Sequence, residues 1–354
     1  MGKGEREQLF QTLNSHLNTI HETFQVLDQS PASSLEKVKW EDVVKMGEQV
    51  SKQATIVGML WTGESPRAKE LKENMETYFN MLQGFLLLSH GSTVGAGPTL
   101  SSSVHATVKQ VVDCSFKLLK ESVSLFEANK DQKLGIPQLV GAVWEACTAL
   151  NKTPGSNVTA IGRAMTQVAV SIKDVLREMK ELKPDSCMKD ESELQDDGSN
   201  LSEDDLGNDL SPEEMKVVQM AITVVSETLV MVKELIRSIT GLLKLEKPND
   251  TSDFVDSLEK LLKQCQGIGT QIDELGACLY PPQEVPVMQE ALQKISSIMD
   301  DMQKELETLK GNSEAFLQAC NGLKDSMRQL KSELDCADPS DLGMKVQNVV
   351  VLND

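Results

Sequence analysis

The sequence predicts an all-α protein in which a disordered acidic linker joins two antiparallel helical bundles. Ten stretches between Glu5 and Leu334 carry apolar residues at intervals of three and four, the spacing that places them on one face of a helix. Prolines and glycines separate these stretches, and short loops between helices favour antiparallel neighbours. Aromatic residues make up 4% of the chain, so aliphatic side chains must fill the cores, which suits helix packing better than a β-sandwich.

The first predicted bundle occupies residues 1–183 and holds five or six helices. Ser30-Pro31 breaks the chain after the first helix and Gly63 ends the second, since proline and glycine interrupt helices. Ser65-Pro66 is interpreted as the cap of the third helix, and the Ser101–Ser103 cluster as the start of the fourth. The predicted helices cover about residues 5–28, 35–61, 65–91, 101–126, 136–150 and 158–182.

Residues 184–210 are predicted to form the disordered acidic linker. Within residues 184–214, twelve side chains are Asp or Glu, and Lys189 is the one basic side chain. Like charges repel each other and stay hydrated, and too little apolar area is present here to offset the entropy lost on ordering. The linker therefore separates two helical halves.

The second predicted bundle covers residues 211–335 and begins at Ser211-Pro212-Glu213-Glu214. Ser at the N-cap, Pro at the first helical position and Glu at the third form a capping box. Farther along, Pro281 and Pro282 end a helix sharply at Tyr280, because Pro281 lacks an N–H and restricts Tyr280 to extended geometry. The four helices cover about residues 212–245, 252–279, 286–309 and 314–334. Residues 336–354 are a tail with an apolar part at 346–352, which we interpret as either a strand-like arm or a docking peptide.

Charge and composition disfavour several classes of function. The formal net charge is −19 and no segment is strongly basic, which argues against direct binding to nucleic acid or to anionic membranes. The N-terminus lacks the apolar stretch of a signal peptide. The most apolar helix carries charged side chains such as Lys216, Glu227 and Arg237, so we expect no membrane span.

Residues for catalysis or metal binding show no recognisable pattern. The four histidines (His16, His21, His90 and His105) lack the spacing to other ligands that a metal site needs. Neither a nucleophile elbow nor a phosphate-binding loop is present, and the seven cysteines form no C-x-x-C pair. We therefore expect a protein that is not an enzyme, without cofactor or metal, whose cysteines are small apolar residues in a reducing compartment.

Two serines are candidate phosphorylation sites. Ser202 precedes three acidic residues, as acid-directed kinases require, and an unmodified solvated serine is an equal alternative there. Ser211 precedes Pro212, as proline-directed kinases require, although its role as an N-cap already explains the dipeptide.

Three segments together resemble the cyclin-D-binding protein family, also described as cyclin-D-interacting helix–loop–helix proteins. The first is Val143-Trp144-Glu145-Ala146-Cys147, which is followed by a proline-containing break and a helix. The second is the acidic linker, which follows these elements at the same place in the chain as in the family. The third and most specific runs from Ile272 to Leu279 and ends in Tyr280-Pro281-Pro282.

The resemblance implies helical bundles like those of vinculin and talin, and a regulatory protein of nucleus and cytoplasm that binds D-type cyclins and restrains cell-cycle progression. It also implies pairing with helix–loop–helix factors without a basic region that reads DNA. The signature residues Trp144, Tyr280, Pro281 and Pro282 are then either structural or partner-facing. The alternative that we carry is a cytoskeletal adaptor of the vinculin or talin type, because it would share the bundle architecture.

Overall fold

The computed structural model describes residues 2–29, 36–63, 65–126, 135–182, 210–242, 252–309 and 313–337. Within these ranges the protein is all-α, which confirms the predicted fold class, with ten helices and no strand. The helices are α1 (Gly2–Gln29), α2 (Trp40–Met59), α3 (Ala68–Ser92), α4 (Pro98–Ser124), α5 (Ile136–Ala149), α6 (Asn157–Met179), α7 (Pro212–Gly241), α8 (Ser252–Ala277), α9 (Val285–Thr308) and α10 (Glu314–Ala337).

Three predicted helix starts are wrong. Helix α2 begins at Trp40 and not near residue 35, because Lys39 has extended backbone geometry and residues 36–39 are not helical. The N-cap of α3 is Arg67 and not Ser65, because the carboxylate of Glu70 accepts hydrogen bonds from both the backbone and the guanidinium of Arg67 and closes the first turn. Helix α4 begins at Pro98, ahead of the serine cluster, because proline at the first helical position is already set to helical geometry.

Helices α1 to α5 form the first compact unit, in which α2 packs against α3 and α5 while α4 packs against α5. Its core holds buried polar groups that have partners: the Tyr78 hydroxyl donates to Ser115 Oγ at 3.0 Å, and both side chains are fully buried. Trp40 Nε1 donates to the carbonyl oxygen of Leu150 at 3.1 Å. A buried hydroxyl without a partner would cost about 1–3 kcal/mol, so these bonds fix the positions of the helices that carry them.

The second compact unit contains α6 from Ile161 onward, α7, α8 from Asp256 onward, α9 and α10. Helix α10 runs antiparallel to α7 and to α9. Lys216 at the start of α7 pairs with Glu333 near the end of α10 at 2.7 Å, and Lys324 of α10 pairs with Asp300 of α9 at 2.7 Å. The helices converge on a core of aliphatic and sulfur side chains, among them Val218, Val224, Leu235, Leu258, Cys265, Ile272, Leu275, Ile295, Met299, Met302, Leu323 and Leu330.

The placement of α6 differs from the predicted bundle at residues 1–183, because α6 from Ile161 belongs to the second unit. The physical reason is that two glycines on α8 leave room for valine side chains of α6. A Cβ on Gly269 would lie 3.0 Å from Val168 Cγ1, and a Cβ on Gly276 would lie 2.8 Å from Val175 Cγ1. These contacts advance by seven residues on both helices, so α6 and α8 run parallel and pack closely.

Helix α7 satisfies the length and composition of a membrane-spanning helix, with a mean hydropathy of 1.6. Half of this apolar stretch is buried inside the protein, where Val218, Val224 and Leu235 are completely inaccessible. The apolar face of α7 thus has protein neighbours, as in the core helix of a bundle.

The predicted linker at 184–210 lies outside the described residues except for Leu210, which is buried. The predicted tail at 336–354 is described only at Cys336 and Ala337, which form the last turn of α10. The predictions for the remaining residues of both segments stay predictions.

A cut in the chain tests the placement of α6. If a protease site is inserted between Gly198 and Ser199 and cleaved, the N-terminal fragment will still carry α6. Because α6 packs against α8 through Gly269 and Gly276, we expect the two fragments to co-elute in size-exclusion chromatography and to separate only in denaturant. Separate elution under native conditions would contradict this assignment.

Substitution at Gly276 tests the close approach directly. Gly276→Ala should lower the free energy of unfolding by about 1–3 kcal/mol, because the new methyl group overlaps Val175 and the helices must shift. Gly241→Ala in α7 is the matched control, since a Cβ there meets no atom within 4 Å. The control should leave stability unchanged or raise it by up to about 1 kcal/mol, measured by urea unfolding.

Candidate functional site

The described residues hold no group of three or more His, Cys, Asp or Glu that is placed to bind a metal ion. His105 Nδ1 lies 3.4 Å from Asp28 Oδ1, and its ring meets Phe24 edge-on. The ring of His16 stacks on Phe79 with centroids 4.8 Å apart. His16 and His105 therefore have packing partners.

The cysteines have the character of apolar core residues. Burial raises the pKa of Cys147 and of Cys265 to about 12, and burial also raises the pKa of Cys320. A thiol with so high a pKa carries almost no thiolate near neutral pH, and the thiolate is the reactive form. Cys147 and Cys265 are thus poorly suited to act as nucleophiles. Cys336 in the last turn of α10 is exposed, and Cys187 lies outside the described residues.

Trp144 lies on the surface of the first unit, with 47% of the residue exposed. Its Nε1 donates to Thr55 Oγ1 at 3.0 Å, and that hydroxyl donates to the carbonyl oxygen of Ser51 at 3.0 Å. One turn away, Gly58 faces Val140, where a Cβ would lie only 2.7 Å from Val140 Cγ2. The glycine brings α2 and α5 together, and the hydrogen bond then holds the indole ring on the outside.

Two more apolar side chains of α2 are exposed beside Thr55 in sequence. Ile56 is 46% exposed, and Met59, one turn after Thr55, is 64% exposed. We call Thr55, Ile56, Met59 and Trp144 the Trp144 surface. Large exposed apolar side chains near a fixed aromatic ring are a composition found at protein–protein interfaces.

Residues 280–284 form a corner at the end of α8. The peptide bond between Pro281 and Pro282 is cis, and Tyr280 is 46% exposed. Gln283 Nε2 donates to the carbonyl oxygens of Leu279 and of Glu214, each at 3.2 Å. The corner is therefore attached to the first turn of α7. Pro281 and Pro282 thus lie inside a corner that is attached to α7, whereas Tyr280 is partly exposed to solvent.

Ser211 is the N-cap of α7, as the sequence predicts. Its Oγ accepts from the N–H of Glu214 at 3.2 Å, and the Glu214 carboxylate accepts from the N–H of Ser211 at 2.9 Å. This capping box satisfies two donors that the helix itself leaves unpaired. Ser202 lies outside the described residues, and phosphorylation of either serine stays a prediction.

A cavity of about 310 Å³ lies between the last turns of α6 and α8. We call it the α6–α8 groove, and its lining consists of Val175, Glu178, Met179, Leu182, Asp273, Gly276, Ala277 and Tyr280. Most of these residues are apolar, and the two carboxylates are on exposed side chains. The exposed ring of Tyr280 thus borders an apolar depression with an acidic rim.

The pKa of Asp273, one of the two carboxylates of the groove, is raised. Partial burial raises the pKa of Asp273, and the nearby charge of Glu178 raises it further. Among the described residues neither carboxylate takes part in an ion pair, whereas the neighbouring Arg177 pairs with Asp174 at 3.2 Å. The groove therefore carries negative charge that the described residues do not neutralise.

Comparison with known protein families decides the relationship. The N-terminal model of the family described as Grap2 and cyclin-D-interacting matches residues 42–185, and its C-terminal model matches residues 188–304. The chain belongs to this family of cyclin-D-binding proteins. The two models adjoin within the acidic segment, whereas the compact units place α6 with the C-terminal helices.

A curated relative supports the same assignment. The chain is similar to the Cyclin-D1-binding protein 1 homolog of Xenopus laevis, with 23% identity over 270 residues. The match covers 73% of this chain and 77% of the relative. The sequence similarity therefore extends over most of both chains.

The signature residues of this family member fall on two separate surfaces. Trp144 belongs to the first unit, while Tyr280, Pro281 and Pro282 belong to the second. Asp273 lies in the signature segment from Ile272 to Leu279 but has no predicted role, and Glu178 is not among the residues that the sequence pointed to. Neither carboxylate forms part of a spacing pattern, because they lie on helices about 95 residues apart in sequence. The glycine spacing at 269 and 276 was the one available signal of close packing.

Ser211→Ala tests the cap that holds the start of α7 beside the corner. We expect the free energy of unfolding to fall by about 1 kcal/mol, because one helix N–H loses its acceptor. Ser211→Asp should stay close to the wild type, since aspartate caps equally well. Ser297→Ala, at an exposed position in the middle of α9, is the control and should change stability by less than about 0.5 kcal/mol. Equal effects at Ser211 and Ser297 in chemical denaturation would contradict the capping role.

Proposed function

We propose that this protein is a non-enzymatic regulatory protein that binds a D-type cyclin and thereby restrains cell-cycle progression. The observation that carries the proposal is the match of both family models, at residues 42–185 and 188–304, to a family described by its interaction with cyclin D. The relative in Xenopus laevis bears the name of a cyclin-D1-binding protein, which supports the same class of partner. The family name describes a binding protein and not an enzyme.

The Trp144 surface is the proposed contact with the cyclin. Tryptophan residues are enriched among the side chains that dominate binding energy, because a large flat ring removes much area from water. The hydrogen bond from Trp144 to Thr55 already restricts the ring, so that little side-chain entropy remains to be lost on binding. Ile56 and Met59 are exposed apolar side chains of α2, the helix that carries Thr55.

The proposal also includes a second partner and a subcellular location. A helix–loop–helix factor would be bound through a helix face, with apolar anchors at intervals of three and four. Direct contact with DNA or with an anionic membrane is not part of the proposal, since the net charge of −19 opposes both. We propose residence in both cytoplasm and nucleus, which fluorescence microscopy of the tagged protein would examine.

Trp144→Ala is the test of the cyclin contact. We expect binding to a purified D-type cyclin, measured by isothermal titration calorimetry, to weaken by about 2 kcal/mol, or roughly 30-fold. Leu87→Ala is the matched control, because Leu87 is an exposed apolar residue of the same unit that lies on α3. It should leave affinity unchanged. Urea unfolding of both variants separates a loss of contact from a loss of stability.

Tyr280→Ala, with Val230→Ala as the exposed apolar control in the same unit, separates the two roles of the corner. Lost stability with unchanged cyclin affinity supports a structural role, and the reverse supports a partner-facing role. The proposed function itself is wrong if the wild-type protein does not bind any D-type cyclin. Saturable co-sedimentation with actin filaments in that case would favour the cytoskeletal adaptor.

A further inference from the structure

We propose that the α6–α8 groove is a docking site for a basic segment of a partner protein. The segment inserts one apolar side chain between the ends of α6 and α8 and places a lysine or arginine against Asp273 and Glu178. This site is separate from the Trp144 surface, which belongs to the other compact unit. The inference therefore does not depend on the proposed contact with a D-type cyclin.

The shape of the groove follows from the packing of small residues. Gly276 allows Val175 to approach α8 closely, and Ala277 adds only a methyl group at the next position. The side chains on this part of α8 are short, and a space of about 310 Å³ therefore remains beside Met179 and Tyr280. Ligand pockets span roughly 300–1,000 Å³, so this space accommodates one or two apolar side chains and not a large cofactor.

The charge of the groove selects the partner. Asp273 and Glu178 line the same space from two helices. Partial burial raises the pKa of Asp273, and the nearby negative charge of Glu178 raises it further. A cationic side chain between them would relieve this repulsion and form charge-assisted hydrogen bonds. Directly after α6, Lys180 and Glu181 carry opposite charges, so together they leave the net charge beside the groove unchanged.

The surroundings of the groove strengthen the preference for a basic segment. Leu182 lines the groove at one end of the acidic segment, and the other end reaches α7 at Ser211, beside the corner of Gln283. Both ends of the acidic segment thus lie at this end of the unit. Concentrated negative charge accelerates association with basic partners and repels acidic ones.

Two segments of the same chain are competing occupants. The acidic segment 184–209 is disfavoured, because its carboxylates would meet Asp273 and Glu178. The tail after Ala337 starts at the same end of the unit, since Asp335 accepts a hydrogen bond from Gln289 of α9 and Glu333 pairs with Lys216 of α7. The tail has an apolar part at 346–352 but little positive charge, so we favour a basic partner.

The test uses a defined probe, a fluorescein-labelled 14-residue peptide of leucine, alanine and lysine with one tryptophan. We expect saturable binding to the full chain in fluorescence anisotropy, weaker at higher salt. Asp273→Asn combined with Glu178→Gln should weaken binding about tenfold, because both acceptors of the cation lose their charge. Ala277→Met, which fills the groove from an exposed position, should also weaken binding at least tenfold. A peptide with glutamate in place of lysine should not bind.

Matched controls make the outcome specific. Glu307→Gln combined with Asp325→Asn removes the same charge from exposed positions of α9 and α10 and should leave peptide affinity unchanged. Circular dichroism and urea unfolding confirm that each variant is folded. The proposal is overturned if the groove variants bind as the wild type does, or if the control pair weakens binding as much as the groove pair. It is equally overturned if removal of residues 338–354 tightens binding about tenfold, because the tail is then the occupant.

Trp144→Ala distinguishes this proposal from the proposed function. It should weaken cyclin binding and leave peptide binding unchanged. If peptide binding fails while cyclin binding persists, the groove proposal alone is wrong, and the reverse result removes the cyclin proposal alone.

Discussion

The close approach of α6 and α8 is the constraint on which the second unit depends. Two glycines of α8, Gly269 and Gly276, provide the space that Val168 and Val175 of α6 occupy. Without a Cβ at these positions the two parallel helices come near enough to exclude water, and dispersion contacts then accumulate along two turns. The same approach brings the last turns of α6 and α8 together. The α6–α8 groove exists because this packing ends at small residues, Gly276 and Ala277.

The corner after α8 shows how local and distant interactions combine. Proline at 281 and 282 stops the helix, but the direction in which the chain leaves is stabilised by Gln283, which bonds to α7 as well as to Leu279. The capping box at Ser211 fixes the first turn of α7 that receives this bond. Tyr280 therefore lies between Leu279 and Gln283, which are joined by a hydrogen bond, although nearly half of Tyr280 is exposed.

Both units present an aromatic ring of a family signature segment to solvent while its surroundings are rigid. Trp144 is held by Thr55, and Tyr280 by the corner that contains it. Tyr280 also borders Asp273 and Glu178, which take part in no ion pair among the described residues. These carboxylates are the physical reason to assign the α6–α8 groove to a basic partner. Membership in the cyclin-D-interacting family is consistent with a protein whose chemistry resides in such surfaces rather than in a catalytic cluster.

Local sequence was sufficient to find the helices and several of their ends. Apolar spacing, proline and capping signals act within one or two turns, and for this reason the start of α7 at Ser211 and the end of α8 near Tyr280 were predictable. The same signals failed at α3, where the pairing of Arg67 with Glu70 outweighed the serine–proline dipeptide two residues earlier. The assignment of α6 to a bundle was beyond these signals, because an amphipathic helix shows that it has an apolar face but not which helix covers that face. That choice depended on the shapes of Val168, Val175 and two glycines about 100 residues away, and so did the meeting of Asp273 with Glu178.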